Sequence, residues 1–236
     1  TAEISEEEYE ILLEAKKRKL EIEVYSRALG GLAKEHITLA VAGAHGKSTT
    51  TALHALALIE GGFDPTVIIG TILKEFNGSN FRFGEKSKYL VLEADEWNAS
   101  FLDYSPSGAV ITNIDREHLD FYKNFSNIKK AFLSFVNNVR REGNGLLVVN
   151  KDDTSLFLMK DLIERTAQGN GARVIWYSVN SPIANRIKNI LKISGAHNVS
   201  NAVGAYTLAR ELKVPHQAIL KAFRGYRGSW RRMEYK

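Results

Sequence analysis

The stretch Ile37-Thr38-Leu39-Ala40-Val41-Ala42, running into Gly43-Ala44-His45-Gly46-Lys47-Ser48-Thr49-Thr50-Thr51, decides the fold. A short apolar run bounded by a glycine turn reads as a strand buried on both faces. A helical pattern follows it, from about Lys47 to Glu60. Strand, Gly-x-x-Gly-Lys-Ser turn and helix, in that order, are what a phosphate cradle needs. The glycines let backbone amides converge on an anion, and the helix N-terminus adds partial positive charge. Gly43, His45, Gly46, Lys47, Ser48 and Thr49 are therefore candidate nucleotide-binding residues. Lys47 can reach the terminal phosphates, and Ser48 can offer its hydroxyl to Mg²⁺. The plainer alternative is a glycine turn capped by hydroxyl residues, and two features oppose it. A lysine in a helix's first turn is electrostatically misplaced unless an anion sits there. Three successive threonines are poor helix formers, so local stability did not select them. The commoner spacing would place a glycine at position 41, where this chain has Val41; this is the shorter variant.

Outward from that unit the same alternation recurs. Strand-like runs lie at Thr66–Ile69, Tyr89–Leu92, Ala109–Thr112, Leu146–Val149 and Val174–Tyr177. Helical patterns lie at about Asn127–Arg140, Thr154–Thr166, Val199–Leu212 and His216–Phe223, and before the first strand at Ser5–Lys19 and about Val24–Ala33. The first of these two opens on a capping box, Ser5 with Glu8. Apolar strands separated by amphipathic helices predict an α/β fold, a mostly parallel P-loop-type sheet flanked by helices. Asn77-Gly78-Ser79-Asn80 predicts a hairpin turn that adds a small antiparallel element at the sheet's margin.

In open parallel sheets ligands sit beyond the carboxyl ends of the strands. Tyr89-Leu90-Val91-Leu92 runs straight into Glu93-Ala94-Asp95-Glu96. Three carboxylates facing a polyphosphate would repel it unless a divalent cation lay between. Mg²⁺ takes hard oxygen ligands and keeps several waters, so one carboxylate can suffice. Glu93, at the strand's last position, is the candidate; a solvated acidic loop explains the segment equally well. The next strand ends in Asn113-Ile114-Asp115-Arg116-Glu117-His118. A lone histidine is more often structural than a ligand, but His118 follows a second strand's carboxyl end and could reach the ion that Glu93 holds. Ser48, Glu93 and His118 form the candidate metal set. Further on, Gly195-Ala196-His197-Asn198-Val199-Ser200-Asn201 precedes a helix rich in small residues. Asn198 could be an ordinary N-cap; alternatively His197, Asn198 and Asn201 could present to a base or ribose. Arg231-Arg232 could be a charged tail.

Composition sets the outer limits. Hydrophobic residues make up 44% and charged residues 25%, the balance of a globular protein, and no apolar run is long enough for a membrane span. With no cysteine, disulfides and thiolate metal sites are excluded. The net charge of +5 owes much to Lys16-Lys17-Arg18-Lys19, which shares a helix with Glu6-Glu7-Glu8 and reads as a solvated face. Aromatic and basic residues do not interleave as a nucleic-acid groove requires. Neither a nucleic-acid nor a membrane partner is expected.

The ordered set of motifs resembles the Mur ligase family: the short-spaced phosphate loop, Glu-Ala-Asp-Glu, Asn-Ile-x-x-x-His-Leu-Asp, His-Asn-x-x-Asn-Ala and a closing Arg-Arg-x-Glu. The forms Gly-x-His-Gly-Lys and Glu-Ala-Asp-Glu-x-x-x-Ser-Phe-Leu are most similar to those of the alanine-adding members. The resemblance covers nearly all of residues 37–236. It implies that residues 1–34 are the tail of an N-terminal UDP-sugar domain, 35–229 a central ATP-binding domain, and 230–236 the start of a linker to a C-terminal domain. The chain would then be a fragment of a longer, cytoplasmic enzyme of cell-wall peptidoglycan synthesis. That enzyme would use ATP and Mg²⁺ to join an amino acid to the carboxylate of UDP-N-acetylmuramate. Carried over, Lys47 would meet the β- and γ-phosphates, Ser48, Glu93 and His118 the metal, and His197, Asn198 and Asn201 the adenosine. Arg232 would approach the γ-phosphate, so Lys47, Glu93, His118 and Arg232 form the catalytic set. Several members carry a carbamylated lysine where this chain has Leu133; Lys129 and Lys130 stand at the wrong spacing, and that modification is not expected. Other expectations stay open: a family ligase with another substrate (a tripeptide or a folate polyglutamate), a P-loop hydrolase, or a non-enzymatic nucleotide-binding module.

Overall fold

The computed structural model describes residues 5–139 and 144–228. Its centre is strand β1 (Ile37–Ala42), buried on both sides as an apolar run requires. Around it, β2 (Thr66–Leu73), β3 (Ser79–Arg82), β4 (Tyr89–Glu93), β5 (Gly108–Ile111), β6 (Gly145–Asn150) and β7 (Ala172–Tyr177) make one sheet in the order β3-β2-β4-β1-β5-β6-β7. Every pairing is parallel except β2 with β3. The phosphate-loop strand therefore lies directly between β4 and β5, whose ends carry the acidic segment and the Asn-Ile segment.

Alternate residues of each inner strand feed two cores, as a pleat demands. Leu39, Val91, Val110 and Val148 enter one core with helices α3 (Lys47–Glu60), α9 (Ala196–Glu211) and α10 (His216–Gly225). Ala40, Leu92, Ile111 and Val149 enter the other with α2 (Tyr25–Lys34), α5 (Phe125–Asn138) and α7 (Lys160–Gly169). The remaining α-helices among the described residues are α1 (Glu6–Lys17), α4 (Leu119–Tyr122), α6 (Thr154–Leu158) and α8 (Pro182–Ile190). No helix among the described residues is long and apolar enough to cross a membrane.

Helix α3 shows why its threonines are tolerated. Eleven of its residues are buried, wedged between the sheet, α9 and α10, so tertiary packing overrides weak propensity. Thr51 also returns its hydroxyl to the Lys47 carbonyl at 2.8 Å. Two turns along, His54 is wholly buried; its Nδ1 lies 3.3 Å from the Ala205 carbonyl of α9 and its Nε2 has no hydrogen-bond partner.

Several predicted boundaries shift. The Asn77 turn is present: Asn77 and Gly78 take positive φ, but Ser79 and Asn80 belong to β3 rather than to the turn. The predicted helix 154–166 is two helices, broken at Met159, whose φ of −97° and ψ of 6° leave the helical basin. Helix α8 has no counterpart among the predicted elements, although Pro182 stands in its first turn and Ile183, Ile187 and Ile190 follow helical spacing. Helix α9 begins at Ala196, earlier than predicted. Gly195, with φ 105°, is its N-cap, and Asn198 is not. The Ser5–Glu8 capping box involves a Glu8 side chain outside the described residues.

Candidate nucleotide and metal site

The loop after β1 turns on two glycines, Gly43 with φ 142° and Gly46 with φ 81°. Both positions also require the missing side chain. A Cβ on Gly43 would overlap the Thr112 hydroxyl, and one on Gly46 would overlap the Asn201 amide oxygen. Strand β5 holds the loop in shape. Asn113 grips the His45 peptide from both sides, accepting its N–H at 2.8 Å and donating to its carbonyl at 2.9 Å. Thr112 donates to the same carbonyl at 2.7 Å, and the Asn113 carbonyl accepts from Ala44 N–H at 3.2 Å. Helix α3 then starts with no side-chain cap, leaving its first-turn amides as the natural donors to an anion.

Lys47, nearly buried, lies with its Nζ 2.5 Å from Glu96 Oε2 and 3.5 Å from Asp95 Oδ1. Ser48 donates its hydroxyl to Glu93 Oε1 at 2.9 Å, while Glu93 Oε2 accepts from the Gly70 amide of β2 at 2.7 Å. Glu93 is thus pinned between two elements. Glu96 is only 2% exposed, and its Oε1 has no hydrogen-bond partner. His118 Nε2 lies 3.7 Å from that oxygen, and Asp95, Glu96 and His118 can bring one ligand atom each within 4.8 Å of one another. Tyr122 of α4 anchors the acidic turn by donating to the Glu96 carbonyl at 2.5 Å.

The backbone is strained where these groups meet. Asn98, Ala99, His118 and Lys123 all have positive φ, a conformation that costs non-glycine residues roughly 1–3 kcal/mol each and gathers at functional sites. Burial pushes the Glu96 carboxyl above its ordinary value, and the Lys47 charge offsets only part of that. At the more exposed Asp95 partial desolvation acts in the same sense, but the Lys47 charge and the Trp97 amide outweigh it and hold the carboxyl low.

The candidate residues taken from the sequence are thereby located. Lys47, Ser48, Glu93 and His118 converge at the carboxyl ends of three adjacent strands. Thr49 is buried in the first turn of α3. His45 is exposed and faces Asp115 at 3.1 Å and Glu117 at 3.8 Å. Asn201 abuts Gly46, Asn198 donates to the Ser194 carbonyl at 2.6 Å, and His197 is exposed on the first turn of α9. Arg232 lies outside the described residues. Sequence reasoning chose Glu93 from the acidic turn; it did not single out Glu96, whose burial against Lys47 depends on how the turn folds back. It also gave no role to Thr112, Asn113 or Tyr122, whose hydrogen bonds are long-range. Of the three, Asn113 alone lies within the Asn-Ile-x-x-x-His-Leu-Asp motif, with Thr112 and Tyr122 flanking it.

Known proteins resemble this chain in sequence and in fold. The family model described as the Mur ligase middle domain matches residues 41–209. The chain is 40% identical over 245 residues to UDP-N-acetylmuramate–L-alanine ligase of Aquifex aeolicus (strain VF5), covering 94% of this chain and 52% of that protein. The chain thus spans about half the length of the curated relatives it matches. Among solved structures, UDP-N-acetylmuramate:L-alanyl-gamma-D-glutamyl-meso-diaminopimelate ligase from Neisseria meningitides superposes with a TM-score of 0.76 at 22% identity, over 95% of this chain and 77% of that one. UDP-N-acetylmuramate-alanine ligase from Thermotoga maritima gives 0.73 at 24% identity, over 99% and 55%. The fold and the middle-domain match together show that this chain belongs to the Mur ligase family.

Proposed function

We propose that this chain is the ATP-binding part of a cytoplasmic ligase that joins L-alanine to the carboxylate of UDP-N-acetylmuramate in peptidoglycan precursor synthesis. The observation that carries the reading is the convergence of Lys47, Ser48, Glu93, Glu96 and His118 on one phosphate loop. The names of the relatives at 34–40% identity supply the substrate pair. Residues 35–229 act as the central domain, residues before 35 as the end of a sugar-nucleotide domain, and 230–236 as a linker.

The residues fit Mg²⁺. Hard oxygen donors surround the loop, and the buried Oε1 of Glu96, without a hydrogen-bond partner, is an acceptor that a cation would satisfy. Ser48, Glu93, Glu96 and His118 would hold the metal. When bound, it neutralises charge on the polyphosphate. Lys47 and the first-turn amides of α3 bind and orient the β- and γ-phosphates of ATP, and Asn201 closes the loop beside Gly46. The substrate carboxylate attacks the γ-phosphate, giving an acyl phosphate and ADP. The amine of alanine then attacks the acyl carbon and phosphate leaves. The chain's contribution is placement and charge neutralisation. His197 and Asn198 are assigned to the adenosine, and Arg232, outside the described residues, to the γ-phosphate.

The test is ADP release by the full-length protein with UDP-N-acetylmuramate and alanine, against the same acceptor with a preformed tripeptide. Turnover that depends on alanine is expected, and Lys47→Ala should lower kcat/KM by orders of magnitude, since Lys47 contacts the transferring phosphoryl. Turnover with the tripeptide alone, ATP hydrolysis indifferent to any acceptor, or full activity of Lys47→Ala would each reject the reading.

A further inference from the structure

A cavity of about 570 Å³ opens beside Glu93 and Asp95. Its lining includes the acidic turn with Trp97 and Asn98 and the start of α2 with Tyr25 and Arg27. Helix α2 is no loose appendage. Ser26 donates to Asp103 Oδ2 at 2.5 Å, and Gly30 packs so closely that a Cβ there would come within 2.5 Å of the Asp103 carbonyl oxygen. Leu29 and Ala33 are buried, Leu29 in the same core as Leu92 and Ile111. The helix that carries Arg27 is therefore held firmly against the 97–103 segment.

Charge makes this arrangement informative. The acidic residues lining the cavity are Glu93, Asp95 and Asp103, and the one basic residue lining it is Arg27. Arg27 is exposed and makes no ion pair among the described residues, and Asp103 is engaged by Ser26. It also sits in the first turn of its helix, where a cation works against the helix dipole. An unpaired guanidinium in a cavity otherwise lined by carboxylates suits a ligand whose anionic group must avoid those carboxylates. Tyr25 and Trp97, 70% and 44% exposed, flank the opening with flat apolar surface for a sugar or base.

We infer that this cavity receives the anionic acceptor and that Arg27 binds its negatively charged oxygens. The inference rests on the ligase reading above and adds an acceptor-binding residue that belongs to none of the motifs. The anion is either the carboxylate or the diphosphate of the acceptor; the chemistry of recognition is the same.

Steady-state kinetics of the full-length protein tests it, with Arg27→Ala, Arg27→Lys and Arg27→Glu. Loss of one charge-assisted contact predicts a rise of about tenfold or more in the acceptor KM for Arg27→Ala. The KM for ATP and kcat should stay within about twofold. Arg27→Lys should recover part of the loss and Arg27→Glu should deepen it, a ranking that altered folding does not produce. UDP and N-acetylmuramate, each used alone as a competitive inhibitor, identify the anion by which one weakens in Arg27→Ala. An unchanged acceptor KM, an equal change in the ATP KM, or inhibition by both compounds unaffected would overturn the inference while leaving the ligase reading intact. A wild-type protein without acceptor-dependent ADP release would remove both.

Discussion

Helix α3, which begins with Lys47 and Ser48, meets α9 through a histidine that burial keeps uncharged. His54 is fully buried, and burial pushes its imidazole from the ordinary 6.5 down to about 4, the contact with Ala205 opposing only weakly. The folded state therefore binds fewer protons than the unfolded chain between those values, so stability falls as pH falls from about 6.5 towards 4. A shift of that size integrates to about 2 kcal/mol lost between about pH 7.5 and pH 5, and about 3 kcal/mol in full. His54→Leu keeps roughly the volume, removes the titration and also removes the Nε2 that lacks a partner. Urea unfolding of both proteins across that pH range isolates the effect, because every other titrating group is common to the two. The difference in unfolding free energy, variant minus wild type, should grow by about 2 kcal/mol from pH 7.5 to 5. A difference that stays flat with pH, or an imidazole seen by NMR to titrate near 6.5, would refute the reasoning.

Three further outcomes follow from the site. Gly46→Ala places a methyl group against the Asn201 amide at a φ of 81°; strain of roughly 1–3 kcal/mol should weaken ATP binding about tenfold or more by calorimetry. Glu96→Gln removes the charge beside Lys47 while keeping the shape, so the Mg²⁺ concentration needed for half-maximal nucleotide binding should rise several-fold. An unaltered Mg²⁺ requirement would exclude Glu96 from the metal set. Tyr122→Phe loses the hydrogen bond to the Glu96 carbonyl and should cost about 1 kcal/mol of stability, read as a lower denaturation midpoint, together with reduced turnover.

Local chemistry alone carried much of this protein. The apolar run 37–42 and its glycine turn specify a buried strand feeding a phosphate loop, because a φ of 142° at Gly43 and of 81° at Gly46 is open to glycine and few others. Strand-and-helix alternation specifies a parallel sheet, because parallel strands need a crossover between them. Asn77-Gly78 marks the hairpin for the same reason that Gly43 marks the loop. What local pattern cannot carry is contact between residues far apart in the chain. That β1 lies between β4 and β5 is a matter of strand order, and that order brings Glu93 to Ser48 and Asn113 to His45. Of three neighbouring carboxylates, the fold buries Glu96 against Lys47 and leaves Asp95 exposed, ahead of a turn whose left-handed Ala99 no propensity favours. Asn201 meets Gly46, and α2 docks on the 97–103 turn through Gly30, only because close packing admits side chains by the space available at the contact. The sequence determined that a phosphate-binding α/β unit is present; the tertiary structure decided which carboxylates, amides and cations share its mouth.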